Sequence, residues 1–518
     1  MNLYKKIILI VFAAIYFAAC ADRLDINTPG EVPTDKLYET VDGAMAAMDG
    51  MYRGLATPAW VSSNKEQASG LISTQLAADL MGEDMVQREL GNGWYYYHYT
   101  YKIREYYLFD NWTSYELWNM WYSVISQMNE IIAYTPGAKG EEAKRNSVMA
   151  QAYAMRGFAY FNLIRWFQRT YVGHEDDPGV PVYTVPTNAQ TQGRGRGTVR
   201  QVYERINNDL DTALLLFEHA GPQMHKSHID KYIALGFRSR VALVQENWKV
   251  AAEAAREARE KEGLKLMSIS DLLGGFNSLA NSEWMWGAEM QGTQTTGYSS
   301  LWMHVDARLP GHAETSRKIA STWIYGMIPG IDIRKQWFLN PADVTDEEEA
   351  AGLPGPHVRY NQQKFYVANT MSLAGDYLYM RMAEMYLNEA EALCHLGEYE
   401  KVRQLLIDLV SYKNESYEKQ LPYIPDGNVQ TLMSTESNSV QNLLDEVLLQ
   451  RRIELWGEGF RMFDVIRLKS GFNRKYEGTN HPYPLTLKPD SWKFVLLLPQ
   501  AAIQSNPAIG DTDQNPLE

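Results

Sequence analysis

Apolar residues recur every three or four positions over most of the chain, and the helices they predict follow one another closely. Leu117, Trp121, Val124, Ile125, Met128, Ile131 and Ile132 share one face of a helix that ends near Thr135-Pro136-Gly137. Val148, Ala152, Met155, Ala159, Leu163 and Trp166 form a second stripe. A third, Val199, Val202, Ile206, Leu210, Ala213 and Phe217, follows Thr198-x-x-Gln201, the spacing of a capping box. Ile233, Phe237, Val241 and Val244 mark a fourth, and the Ala-rich run from Trp248 to Glu262 a fifth. Between residues 266 and 369 this rhythm stops. Gly, Pro, Asn, Ser and Thr punctuate short apolar runs such as Trp284-Met285-Trp286 and Gly352-Leu353-Pro354-Gly355-Pro356, which predicts loop with a few short strands. Helices resume over Asp376 to Leu396 and Glu398 to Val410, joined by Leu396-Gly397-Glu398-Tyr399. The expectation is a mainly α domain over residues 34–518, with helical parts at 34–262 and 376–518 and a loop-rich face at 266–369.

The N-terminus follows another pattern. Lys5 and Lys6 precede an unbroken apolar run, Ile7 to Ala19, and then Cys20. At 1.5 Å per residue that run spans roughly 20 Å, short of the ~30 Å hydrocarbon core, so it reads as a secretory signal over residues 1–19. Phe17-Ala18-Ala19-Cys20 resembles a bacterial lipobox, which makes Cys20 the expected lipidation site and residues 20–33 an extended tether. Stable membrane attachment takes more than one acyl chain, as a bacterial lipoprotein carries.

Composition narrows the function classes. With 49 Lys+Arg against 63 Asp+Glu the net charge is −14, so no basic surplus exists for nucleic-acid phosphates. Two cysteines exclude a disulfide scaffold and a four-thiolate metal site, and Cys394, in a helical Ala-rich context, reads as a core residue. No nucleophile elbow, H-E-x-x-H pair, P-loop or EF-hand loop is present, so neither a catalytic site, a cofactor nor a metal is expected. The aromatic choice is unusual: 14 Trp and 33 Tyr against 15 Phe. Rings with a polar handle suit amphipathic binding surfaces.

Three segments concentrate such rings among polar neighbours. Asn92-Gly93-Trp94-Tyr95-Tyr96-Tyr97-His98-Tyr99 is the densest, with Arg104 and Asn64 as polar neighbours. Tyr298 and Trp302 sit among Thr, Ser and Gly, and Trp60 precedes Ser62-Ser63-Asn64. Ligand-contacting candidates are therefore Trp60, Asn64, Trp94, Tyr96, Tyr97, Arg104, Tyr298 and Trp302; alternation along 94–99 would turn every second ring inward. Trp284 and Trp286 read as core.

Several longer motifs occur in a recognisable order. They include Leu76-Ala77-Ala78-Asp79-Leu80-Met81-Gly82-Glu83-Asp84, then Ala152-Tyr153-Ala154-Met155-Arg156-Gly157-Phe158, and Tyr379-Met380-Arg381-Met382-Ala383-Glu384. The most specific is Arg451-Arg452-Ile453-Glu454-Leu455-Trp456-Gly457-Glu458-Gly459-Phe460-Arg461-Met462-Phe463-Asp464, and Leu498-Pro499-Gln500 leads to the close. Together they resemble the SusD/RagB family of Bacteroidetes outer-membrane lipoproteins. The turn at Leu396-Gly397 resembles a tetratricopeptide hairpin, and the pair around Arg238 to Ala258 is a looser relative. The resemblance implies a scaffold of tetratricopeptide-like hairpins with a loop-rich ligand face. It also implies a non-catalytic role: capture of oligosaccharides, or of peptides in the RagB branch, for a SusC-like TonB-dependent transporter. A tetratricopeptide adaptor and a hydrolase on a helical scaffold are the other readings. In the longest motif Glu454 and Glu458 lie four apart and Glu458 and Arg461 three apart, with Arg452 just before them, so pairing along one helix is expected.

Overall fold

Capping and periodicity set the helix limits. The Thr198 hydroxyl accepts from the Gln201 N–H at 3.2 Å, and Gln201 Oε1 accepts from the Thr198 N–H at 3.0 Å, closing the anticipated capping box. The computed structural model describes residues 33–58, 60, 65–102, 112–292, 297–351, 355–431 and 439–517. The signal, Cys20 and the tether up to residue 32 lie outside the described residues.

In the N-terminal half the longer helices are α1 (Val41–Leu55), α2 (Leu71–Leu80), α3 (Trp112–Tyr134), α4 (Glu142–Phe167) and α5 (Val199–Phe217). Helix α4 packs between α3 and α5, with Val148, Ala152, Met155, Ala159, Leu163 and Trp166 fully buried. Two hairpins follow the tetratricopeptide pattern: α6 (Lys231–Val244) with α7 (Trp248–Arg259), and α8 (Met382–His395) with α9 (Tyr399–Val410). Both turn the same way. Gly397 takes φ 75° while the Glu398 N–H donates to the Leu393 carbonyl and the Gly397 N–H to Cys394. At the other turn Glu246 takes φ 53°, with Asn247 donating to Ala242 and Glu246 to Leu243. Helix α7 lies along α8, joining the hairpins, and Cys394 is buried there as expected. The chain continues through α10 (Leu443–Glu454), α11 (Arg461–Arg467) and α12 (Gln500–Ser505).

Among the described residues six short strands pair in three antiparallel ribbons: β1 (Met85–Gln87) with β3 (Lys318–Ala320), β2 (Trp284–Ala288) with β4 (Tyr377–Arg381), and β5 (Phe472–Asn473) with β6 (Thr486–Leu487). Val86 faces Ile319, so the chain leaving β1 toward residues 92–99 runs beside the chain entering β3 from residues 297–317. That single ribbon brings two of the aromatic segments together. No helix among the described residues is long and apolar enough to cross a membrane.

Two expectations need correction. The stretch expected to be helical from Asp376 begins as strand β4, because Tyr377, Leu378, Tyr379 and Met380 are buried on both faces against β2 and the core. An unbroken apolar run of this length is ambiguous by periodicity alone. The second concerns the long motif. Helix α10 stops at Glu454, and Gly457 and Gly459, at φ 82° and 87°, turn the chain before α11. A side chain at 457 would meet the Phe365 ring at 2.3 Å. The motif's charges therefore pair across the molecule, not along one helix. Arg452 reaches Glu83 at 3.0 Å and also Asp84, and Arg461 grips both oxygens of the Glu83 carboxylate. Glu454 sits 2.9 Å from each of Arg334, Arg381 and Lys413. Glu458 pairs with Lys364 at 2.6 Å and Arg381 at 2.8 Å, and Arg381 also binds Glu283 at 2.7 Å. Burial favours the neutral carboxyl of Glu83, yet Arg461 and Arg452 hold it down at about 2.

Candidate functional site

The β1–β3 ribbon, the turn after α1 and residues 65–70 converge on one face. The Tyr95 N–H donates to Gln67 Oε1 at 2.6 Å, the Ser69 hydroxyl donates to the Ser299 carbonyl, and His304 Nε2 meets the Glu66 carbonyl. Rings then meet across the segments. His312 lies 5.8 Å from Trp94, edge to face, and 5.6 Å from Tyr298, while its other neighbour, His304, is nearly parallel at 4.8 Å. Tyr95, with left-handed φ 62°, continues the series against His304 at 5.1 Å. Tyr298 is 61% exposed and Trp94 half-buried, so the cluster opens outward at these two rings.

Beneath it lies a small, partly open cavity of about 40 Å³, lined by Trp60, Gln67, Tyr95, His98, Glu116 and Met120 among others. Trp60 closes one side. Its Nε1–H donates to the Gly54 carbonyl at 3.0 Å, and the ring lies so close that a Cβ at Gly54 would touch it at 2.6 Å. Glu116 is 9% exposed and makes no hydrogen bond or ion pair with a described residue. Burial pushes its carboxyl up to about 9 and the His98 imidazole down to about 3, so both are neutral at pH 7. A protonated carboxyl both donates and accepts.

Polar atoms without protein partners gather here. Trp94 Nε1 and His312 Nε2 are buried without one, although Asn92 Nδ2 lies 3.4 Å from the other imidazole nitrogen of His312. Each unpaired buried polar group costs about 1–3 kcal/mol, and these two on one face leave hydrogen-bonding capacity that a ligand could use.

Trp60, Trp94 and Tyr298, chosen from sequence, thus meet around one cluster and its cavity. Tyr96 and Tyr97 are half-buried with rings 6.3 Å apart. Trp302 does not belong to the face: it is 1% exposed, donates its Nε1–H to the Gly375 carbonyl at 2.8 Å and lies where a Cβ on residue 375 would stand, so that platform is corrected to core. Asn64 and Arg104 lie outside the described residues. Sequence reasoning missed His312, Tyr95 and Glu116. The last carried a readable signal, since Glu116 interrupts the apolar stripe of Leu117, Met120, Trp121 and Val124 on α3.

Comparison with known proteins agrees with the fold. Residues 55–243 match the family model described as "Starch-binding associating with outer membrane", and residues 354–517 match the SusD family model. The chain belongs to the SusD/RagB family. The unmatched middle is the loop-rich part that supplies Tyr298 and His312. The family resemblance extends to SusD-like protein P2 of Formosa agariphila, 23% identical over 505 residues, which cover 91% of this chain and 92% of that one. A SusD-like carbohydrate binding protein of Bacteroides vulgatus superposes with TM-score 0.75 at 24% identity, covering 92% and 99% of the two chains. A laminarin binding SusD-like protein superposes with TM-score 0.66 at 19% identity, covering 93% and 100%.

Proposed function

We propose that this SusD/RagB-family protein is a non-catalytic, surface-exposed lipoprotein of the outer membrane that captures oligosaccharides and passes them to a SusC-like TonB-dependent transporter. The observation that carries the reading is the Trp94–His312–Tyr298 cluster, open at Tyr298 and backed by a cavity whose acid and imidazole are neutral at pH 7. A neutral sugar offers apolar C–H faces for the rings and hydroxyls for the unpaired donors and acceptors. Relatives described as carbohydrate binding and laminarin binding support the glycan class. Two or three stacked rings fit dissociation constants of roughly 1 mM to 1 µM, about −4 to −8 kcal/mol.

The test is titration of the mature protein with neutral polysaccharides, laminarin among them, and with mixed peptides. Glycan binding that weakens in Trp94→Ala and Tyr298→Ala is the expected result; peptide binding with no glycan signal overturns the ligand class. Anchoring is tested separately: Cys20→Ala is expected to leave the membrane fraction, and unchanged retention defeats the anchor assignment.

A further inference from the structure

Helix α3 presents two faces to two different hollows. Glu116, Leu117 and Met120 look into the cavity described above, whereas Trp118, Tyr122, Ile125, Ser126 and Asn129 fall on the opposite side of the helix and line a second cleft. This open cleft has a volume of about 330 Å³, at the lower end of the range of small-molecule sites, and is bordered by residues 181–193 and by α12. Trp118 and Tyr122 meet at 4.8 Å, and Tyr183 stands edge-on to Tyr122 at 6.1 Å.

The cleft is preformed. The Tyr122 hydroxyl donates to the Pro181 carbonyl at 2.8 Å, and the Tyr183 hydroxyl accepts the Arg194 N–H at 3.0 Å, which fixes both rings. Asn129 Nδ2 donates to the Tyr183 and Val185 carbonyls at 3.1 and 3.2 Å. Arg196 fastens the far end of the loop to the Gly179 carbonyl at 2.7 Å and the Asp513 carbonyl at 2.6 Å. The basic stretch Gly193-Arg194-Gly195-Arg196-Gly197 is thus pinned to the cleft's border.

Its chemistry is selective. In a chain of net charge −14, no Asp, Glu, Lys, Arg or His lines the cleft. Polar groups are amides and hydroxyls only: Asn188, Gln192, Asn506, Thr187 and Ser505. Arg194, 5.9 Å over the Tyr183 ring, donates to the Val182 carbonyl at 3.1 Å, and the lining itself offers no charged group to pair with a carboxylate or an amine, so it matches an uncharged polyhydroxylated ligand with apolar ring faces.

We propose that the cleft between α3, residues 181–193 and α12 is a second binding site, for a neutral oligosaccharide, separate from the Trp94–His312–Tyr298 face. It gives the protein two points of attachment for one long glycan or for two short ones.

Hydrogen exchange measured by mass spectrometry on the mature protein, with and without millimolar laminaripentaose or maltopentaose, tests this. The expected result is slower exchange in peptides covering 181–193 and 500–506. That protection persists in the Trp94→Ala/Tyr298→Ala double variant and is lost, with at least tenfold weaker binding in that background, in Trp118→Ala. Because Trp118 also packs on Phe167 at 5.0 Å, Ser126→Phe, which fills the cleft from the helix side, serves as a second variant. Protection confined to residues 92–99 and 297–312 overturns the second site and leaves the first intact. Protection in the cleft that survives both Trp118→Ala and Ser126→Phe overturns the assignment to these residues. Equal protection by an oligogalacturonate overturns the neutral-ligand class.

Discussion

The ion-pair knot around Glu454 and the ligand face around His312 are both built from buried polar groups, but they treat those groups in opposite ways. In the knot each carboxylate has a cation: Glu454 has Arg334, Arg381 and Lys413, Glu458 has Lys364 and Arg381, and Glu83 has Arg452 and Arg461. On the ligand face, among the described residues, Glu116 has none and Trp94 Nε1 and His312 Nε2 have no acceptor. Burial acts in the same direction in both places. In the knot Lys413, Arg381 and Arg334 overcome it and keep Glu454 well below the usual carboxylate range; at Glu116 no described residue opposes it and the group is neutral at pH 7. The most specific motif of the sequence therefore serves to join α10 and α11 to the rest of the chain, while recognition falls to residues whose polar atoms are left over.

The largest effect that separates the two regions is expected at Glu454. Glu454→Gln leaves three cations buried against a neutral amide, and breaking such a site costs about 3–5 kcal/mol. Urea unfolding should show that loss while the folded fraction binds glycan with unaltered affinity. A loss below about 1 kcal/mol would mean the knot is not stabilised as a unit. Trp302→Ala should behave like a knot variant although it lies next to Tyr298 in sequence. Removing a fully buried indole costs about 3–5 kcal/mol, readable as a lower denaturation midpoint. If binding falls and stability does not, Trp302 belongs with the ligand face after all.

Glu116 offers an effect of opposite sign. Its folded value of about 9 lies above the 4.5 of an ordinary glutamate. A raised value means the fold favours the protonated form, so its contribution is whole below pH 4.5 and is lost as pH rises toward 9. Glu116→Gln removes that dependence. The variant should match the parent near pH 4 and exceed it by up to about 4 kcal/mol at pH 7.5. Unfolding midpoints across this range check it, and parallel pH profiles for the two proteins would show that Glu116 is already charged and compensated.

How far each region was legible in the sequence follows from the range of the contacts involved. Helices such as the one bearing Val148 to Trp166 are fixed by neighbours three and four residues away, and periodicity finds them. Strand β4 was misread because Tyr377 to Met380 is apolar on both faces, so its period carries no information; only the pairing with Trp284–Ala288 decides it. The charges of the long motif stand at helical spacing, but two glycines at positive φ break the helix, and their partners Glu83 and Arg381 are some 370 and 70 residues away in the chain. At the site, Trp94 and Tyr298 stood out by local composition. His312 and Tyr95 did not, because a ring cluster of this kind exists only once the β1–β3 ribbon is formed. Trp302 had the same local composition as Tyr298 and went inward because Gly375, with no side chain, leaves room for its indole.

The smallest expected effect sharpens the comparison most. Tyr298 is 61% exposed, and among the described residues its ring contact is with His312. Removing it opens no enclosed cavity, so Tyr298→Ala should change unfolding free energy by no more than about 0.5 kcal/mol, as for an ordinary surface substitution. Its loss from a stacked glycan should nevertheless weaken binding roughly tenfold, which is about 1.4 kcal/mol of affinity. Calorimetric titration with laminarin and a matched thermal melt give both numbers from one preparation. Affinity lost with stability kept is the inverse of Glu454→Gln. If Tyr298→Ala instead left glycan affinity unchanged, recognition on this face would have to rest on Trp94 and the Glu116 cavity, and the exposed ring would be incidental to it.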